Sequence, residues 1–161
     1  NIPVLDKVKY LSNTKSKTIM EYPYYDSYGN PLQTIETGLL QTTYVWGYKG
    51  QHLVAQLVNA SYDEVQAKAR AAGLNLNTLT TSNKPSDADL DKLNALRYSI
   101  PDAQITTYKY KPLIGIEHVT DPRGITTYYD YDSFMRLKEI SIRNNKRKEI
   151  LEAYEYNYIN Q

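Results

Sequence analysis

The feature that most constrains this chain is a phrase it repeats. Thr-Thr-Tyr followed by aromatic alternation occurs at Thr42-Thr43-Tyr44-Val45-Trp46, at Thr106-Thr107-Tyr108-Lys109-Tyr110 and at Thr126-Thr127-Tyr128-Tyr129-Asp130-Tyr131, the last two copies 20 residues apart. A second phrase, Tyr25-Asp26-Ser27-Tyr28-Gly29-Asn30, returns as Tyr131-Asp132-Ser133-Phe134-Met135-Arg136. Tyr25 to Trp46 spans 21 residues, and so does Tyr110 to Tyr131. A period of this size marks stacked supersecondary units. Thr and Tyr favour strands, and strict alternation sorts them onto two faces. Each repeat therefore reads as a β-hairpin.

Turn chemistry falls between the strands. Asp121-Pro122-Arg123-Gly124 has the residue preferences of a type I turn. Gly29-Asn30-Pro31 and Asn144-Asn145 also read as turns. The strands expected are 18–25, 32–37, 40–48, 53–59, 104–110, 113–120, 126–131, 137–143 and 149–158. Thr42, Tyr44, Trp46 and Tyr48 are expected on one face, and Tyr154, Tyr156 and Tyr158 on one face of the last strand.

The pattern breaks between Asn59 and Asp102. Ser61-Tyr62-Asp63-Glu64 is a capping box, followed by Val65, Ala69 and Ala72 at helical spacing before Gly73. Asn75 to Lys84 reads as a polar loop. Ser86 then caps a second helix with Leu90, Leu93, Leu96 and Arg97 along one edge, stopped by Pro101. The fold class expected is mainly β: antiparallel hairpin repeats in an elongated twisted sheet, with a two-helix insertion at about 61–99. The whole chain, 1–161, reads as a single repeat domain interrupted over 60–102, the insertion sitting at a hairpin tip on one side of the sheet.

Composition narrows the function. Tyr occurs 17 times against one Phe and one Trp, so nearly every ring carries a hydroxyl and suits half-wet positions. A net charge of +1, from 19 basic and 18 acidic residues, gives no pull toward nucleic acid. Cysteine is absent, which removes disulfides and thiolate chemistry. No apolar run nears the roughly 20 residues of a membrane-spanning helix, so direct membrane insertion is not expected. A start at Asn1, without the basic and apolar segments of a signal peptide, leads to the expectation of a trimmed piece of a longer protein.

The stretch Gly124-Ile125-Thr126-Thr127-Tyr128-Tyr129-Asp130-Tyr131-Asp132-Ser133-Phe134-Met135-Arg136-Leu137 resembles the YD repeat of rearrangement-hotspot (RHS) and teneurin-like proteins. That repeat runs Gly, Thr or a similar residue, Tyr-x-Tyr-Asp, two residues, then Gly-Arg-Leu. Gly124, Tyr129, Tyr131, Asp132, Arg136 and Leu137 carry the match, and Met135 stands where the family has Gly. Tyr25, Asp26 and Gly29 carry an earlier copy in which the Arg is replaced. With more degenerate copies, the resemblance covers about two-thirds of the chain. It implies large secreted or surface-bound bacterial proteins whose repeats wind into β-ribbon shells, some enclosing a toxin. The family's self-cleaving core and toxin domains are not visible here. Expected partners are neighbouring repeats of the parent protein, or a second copy through the sheet edges.

Sites of chemistry are sparse. His52 and His118 lie in separate strands without ligand-spaced partners, and no acidic cluster has the spacing of a calcium loop, so neither metal nor cofactor is expected. No nucleophile signature is present, and no catalytic residue is assigned. Asp130 and Asp132, with Glu117, are the carboxylates an enzyme would use; the plainer reading is that each Asp bonds its own turn. The basic run Arg143, Lys146, Arg147, Lys148 reads as a solvated hairpin tip guarding an edge. The aromatic rows, Tyr44, Trp46 and Tyr48 with Tyr108 and Tyr110, are the best binding candidates. Flat rings with polar tips suit a glycan or a surface protein, against the alternative that they are cross-strand ladder contacts.

Overall fold

In the computed structural model, which describes residues 2–144 and 147–157, ten strands form one antiparallel sheet in chain order. They are β1 (Lys7–Ser12), β2 (Lys15–Tyr25), β3 (Pro31–Glu36), β4 (Gln41–Gly47), β5 (His52–Val58), β6 (Gln104–Lys111), β7 (Gly115–Thr120), β8 (Thr126–Tyr131), β9 (Leu137–Asn144) and β10 (Arg147–Ala153). Nine of them are the strands expected, within a few residues. The first, β1, was not expected: Lys7-Val8-Lys9-Tyr10-Leu11-Ser12 mixes charge and apolar residues, and five of its six positions are exposed. An edge strand guarded by lysines lacks the half-buried alternation that reveals an inner one.

The chain divides into two compact units, Asn1–Thr107 and Tyr108–Gln161. In the first, β5 and β6 pair directly, Leu57 opposite Ile105 and Ala55 opposite Thr107, so the helical segment between them does leave from a hairpin tip. Its base is tied by Asn59 Nδ2 donating to Asp102 O at 3.0 Å. Helix α1 (Tyr62–Ala71) starts at the capping box, Ser61 Oγ accepting from Glu64 N. Helix α3 (Asp87–Ala95) starts at Ser86, whose Oγ accepts from Asp89 N, and runs into a single 3-10 turn, Leu96–Tyr98.

The two-helix expectation needs correction, because α2 (Leu76–Thr81) occupies what read as a polar loop. Asn75 Oδ1 accepts from both Asn77 N and Thr78 N, while Leu76, Leu79 and Thr80 turn inward. Six residues give too few turns for a visible period. Ala72 is exposed, so the inward edge of α1 is Val65 and Ala69. Beneath the helices, Thr43, Val45 and Gly47 form one buried face of β4. A β-carbon on Gly47 would lie 3.0 Å from Pro85 Cγ and 3.4 Å from Leu79 Cδ2, which shows how closely the insertion approaches. Among the described residues, the buried aliphatic core, including Val54, Leu57, Val65, Leu93, Leu96 and Ile105, lies in this unit.

The second unit is a strand meander with a different interior. Among its described residues the buried side chains are Thr120 and Ser141, both polar. Its last strand corrects a second expectation: β10 ends at Ala153, not near residue 158, and Tyr154 and Tyr156 lie beyond it, Tyr154 N still donating to Lys138 O at 2.9 Å. A register shift lies between Ile150 and Glu152, after which Glu152 and Ala153 pair with Ile140 and Glu139. Tyr158, Asn145 and Lys146 lie outside the described residues.

Candidate functional site: repeat turns and aromatic latches

Three turns share one construction, and an aspartate organises each. In Asp26–Asn30, Oδ1 of Asp26 accepts from Tyr28 N at 2.9 Å and Asn30 N at 2.8 Å. In Asp121–Ile125, Asp121 Oδ1 accepts from Arg123 N and Ile125 N, both at 2.9 Å. In Asp132–Arg136, Asp132 Oδ1 accepts from Phe134 N at 2.8 Å and Arg136 N at 3.0 Å. The first and fifth residues also bond through their backbones, as do the first and fourth. The fourth residue takes positive φ each time: +86° at Gly29, +83° at Gly124 and +62° at Met135. The turn thus forms without Gly at its fourth position, with Met135 held left-handed.

The other carboxylate oxygen is met by a nearby side chain. Asn30 Nδ2 donates to Asp26 Oδ2, Arg123 Nε to Asp121 Oδ2, and Arg136 Nε and Nη2 to Asp132 Oδ2 at 2.8 and 2.7 Å. At Asp121 burial pushes the pKa up, but the bonds from Ile125 N and from Arg123 outweigh it, so the carboxyl sits below its usual value. Asp132 behaves alike: desolvation raises it, and the bonds from Arg136 and Phe134 carry it below the ordinary range. A general acid needs the opposite shift. Asp130 pairs with Lys148 at 3.2 Å, and Glu117 with Lys109 at 3.0 Å. Lys148, bonded to Glu139 and Asp130, has its pKa raised.

The second recurring device is an aromatic latch. At the end of a hairpin, a ring donor reaches back to a backbone carbonyl where the same hairpin began. Tyr25 Oη donates to Leu5 O, Trp46 Nε1 to Pro31 O at 2.8 Å, Tyr131 Oη to Ile116 O at 2.9 Å and Tyr156 Oη to Leu137 O at 2.7 Å. These close the pairs β1–β2, β3–β4, β7–β8 and β9–β10. Burial, then the neighbouring Tyr129, raises the Tyr131 pKa; burial, then Tyr22 and Asp6, raises that of Tyr25. Both phenols therefore keep the proton they donate. Arg136 joins the two devices, its guanidinium 4.1 Å from the Tyr156 ring centroid while it holds Asp132.

The residues singled out in the sequence divide accordingly. Tyr25, Asp26, Gly29, Gly124, Tyr131, Asp132 and Arg136 build turns or latches; Leu137 supplies a latch acceptor and pairs with Tyr131; Tyr129 pairs with Ile140 in the ladder. The aromatic candidates do not assemble one platform. Tyr44 Oη bonds Thr34 Oγ1 at 3.3 Å and Trp46 is latched. A register shift separates Val45 from Trp46, and Tyr48 lies outside β4, in a turn at φ +55°. Its neighbours Lys49 N and Gly50 N donate to Ser82 O and Thr80 O, so α2 takes hold of that turn, and Tyr48 is only 4% exposed. The expected shared face of Thr42, Tyr44, Trp46 and Tyr48 is therefore corrected at its last member. Tyr108 and Tyr110 are half-buried on β6, and burial raises the Tyr108 pKa.

The carbonyls that receive the latches, and Gly115, were not anticipated. Gly115 sits under the Tyr131 ring, where a β-carbon would meet Oη at 2.5 Å. A glycine opening a strand was the available signal. Among the described residues no group of three or more His, Asp or Glu is placed to hold a metal ion, and no helix is long and apolar enough to cross a membrane. No family model matches the sequence, and no curated protein matches it.

Proposed function

We propose that this chain is a structural and interaction module of a large secreted or cell-surface bacterial repeat protein of the YD kind, with no catalysis of its own. The observation that carries the reading is the recurrence of one Asp-centred turn three times and one aromatic latch four times. Polar side chains that recur with a repeat and close on its own backbone define a scaffold. A toxin-enclosing shell is a variant of this role and depends on further domains.

The partners are neighbouring repeats. Strands β1 and β10 end the ladder, and both expose apolar side chains: Tyr10 and Leu11 on β1, Ile150 and Leu151 on β10. Unpaired strand edges of this kind recruit another strand. Molar mass by light scattering across a range of salt tests the reading. A dimer or larger assembly, reduced by Ile150→Lys, is expected. A salt-insensitive monomer whose β1 and β10 edge amides resist hydrogen exchange would overturn it.

A further inference from the structure

The insertion roofs the repeat turn at Asp26. In the first unit, the chain around Tyr25 and Asp26 lies opposite α1 and α2, and a cavity of about 190 Å³ remains between them. Among its described residues the second unit holds no helix of its own. Several contacts hold the roof in place. Tyr62 N donates to Gln33 Oε1 at 3.2 Å, Tyr24 Oη donates to Asp63 Oδ2 at 3.5 Å, and the Tyr24 and Tyr62 rings lie 5.5 Å apart.

The lining has a definite chemistry. Leu32, Leu76 and the Tyr44 ring give apolar walls, while Ser27, Asn77 and Tyr62 bring a hydroxyl, a carboxamide and a phenol. Tyr44 turns its own hydroxyl toward Thr34, so toward the cavity it offers carbon. No lysine or arginine lines the space, and the only charged group, Asp26, has both oxygens engaged by the turn. An anionic ligand therefore finds no counter-charge. The volume is well below the roughly 300 Å³ at which drug-sized pockets begin, and it equals about six waters' share of liquid at about 30 Å³ each. A single six-membered ring fits that space. Apolar walls facing a neutral polar rim match a molecule with C–H faces and hydroxyl edges.

We propose that this cavity is a binding site for one neutral sugar ring. Of the five aromatic residues that the sequence offers for glycan stacking, only Tyr44 lines it, so the site lies under the insertion and not along a strand face. The proposal does not rest on the scaffold reading and stands or falls separately.

The test is an amide chemical-shift titration of the full chain with methyl glucoside, methyl galactoside, methyl mannoside and N-acetylglucosamine. Glucuronate serves as the anionic control and phenol as the apolar-ring control. Saturable shifts at Tyr44, Asn77 and Thr80 are expected with at least one neutral sugar, and glucuronate should bind at least about tenfold more weakly. Asn77→Ala, which removes one hydrogen-bonding group at an exposed position, should weaken binding by about three- to tenfold. Ser27→Leu, also at an exposed position, should obstruct the rim and abolish it. The proposal is overturned if no neutral sugar gives saturable shifts, if phenol binds in preference to every sugar, or if both variants bind as the parent does.

Discussion

Gly115 and Tyr131 offer a sharp test of the latch. A methyl group on Gly115 would stand 2.5 Å from Tyr131 Oη and 3.1 Å from its Cζ. The ring must swing aside, and the 2.9 Å bond to Ile116 O breaks with it. Overpacking costs about 1–3 kcal/mol, and the lost hydrogen bond adds about 0.5–1.5 kcal/mol. In a Tyr131→Phe background the oxygen is already gone, and the nearest ring atom needs to yield only a few tenths of an ångström. Gly115→Ala should then cost about 1–2 kcal/mol less than in the parent. Any backbone cost of the methyl is common to both backgrounds and cancels in the cycle. Urea unfolding of the parent, both single variants and the double variant, followed by circular dichroism, gives the coupling energy directly. Additivity within about 0.5 kcal/mol, the behaviour of independent sites, would refute the claim that the two residues form one device.

Three further outcomes follow from the turns. Asp26→Ala strips two backbone amides of their acceptor and should destabilise by about 1–2 kcal/mol, with Asp26→Asn milder in the same urea assay because it keeps an Oδ1. Met135→Gly should stabilise by about 0.5–1 kcal/mol, since the left-handed cost to a non-glycine residue of about 1–2 kcal/mol exceeds glycine's added chain entropy; an unchanged or lower midpoint would contradict it. Asp121 and Asp132 have folded-state pKa values below the ordinary 3.8. Their contribution is therefore complete above that value and is lost as pH falls through the depressed folded values, because the unfolded chain then binds more protons. Carboxyl carbon titration should place both midpoints below 3.8, and a midpoint at or above it would remove the turn's electrostatic account.

Much of the scaffold was legible because its signals are local. Ser61 and Ser86 cap helices as their spacing implies, and Asp121-Pro122-Arg123-Gly124 turns as its residues demand. The plain reading of Asp132, that it bonds its own turn, rests on a carboxylate reaching amides two and four residues on, which sequence can show. The latches are not local. Trp46 and Tyr131 each reach a carbonyl 15 residues back, Tyr156 one 19 back and Tyr25 one 20 back. A carbonyl has no letter in a sequence. The aromatic row therefore read as cross-strand ladder contacts or, failing that, a binding stripe, and nothing in the sequence marked Trp46 as facing a backbone acceptor. Tyr48 shows a different limit: two residues after Trp46 it should share that ring's face, but α2 holds the following residues and three consecutive positive φ angles redirect the chain.

The two units solve the same problem with different physics, and this gives the last prediction. The first unit hides aliphatic side chains beneath three helices, and Leu93 is fully buried among them. Truncation to Ala leaves a cavity that packed neighbours only partly fill, costing about 2–5 kcal/mol, a large share of a typical domain's stability of about 5–15 kcal/mol. The second unit has no fully buried aliphatic residue among its described positions; its buried side chains are Thr120, which bonds Thr126 at 2.9 Å, and Ser141. Its order depends on latches and turns worth about 1 kcal/mol per bond, so it should open at lower free energy. Native-state hydrogen exchange of Leu93→Ala should show protection falling in β4, β5 and the helices by the full amount, with the slowest amides of β8 and β9 exchanging nearer their parent rates. Equal loss of protection in both units would mean that they unfold as one, and that the aliphatic core under the insertion stabilises the tyrosine repeats as well.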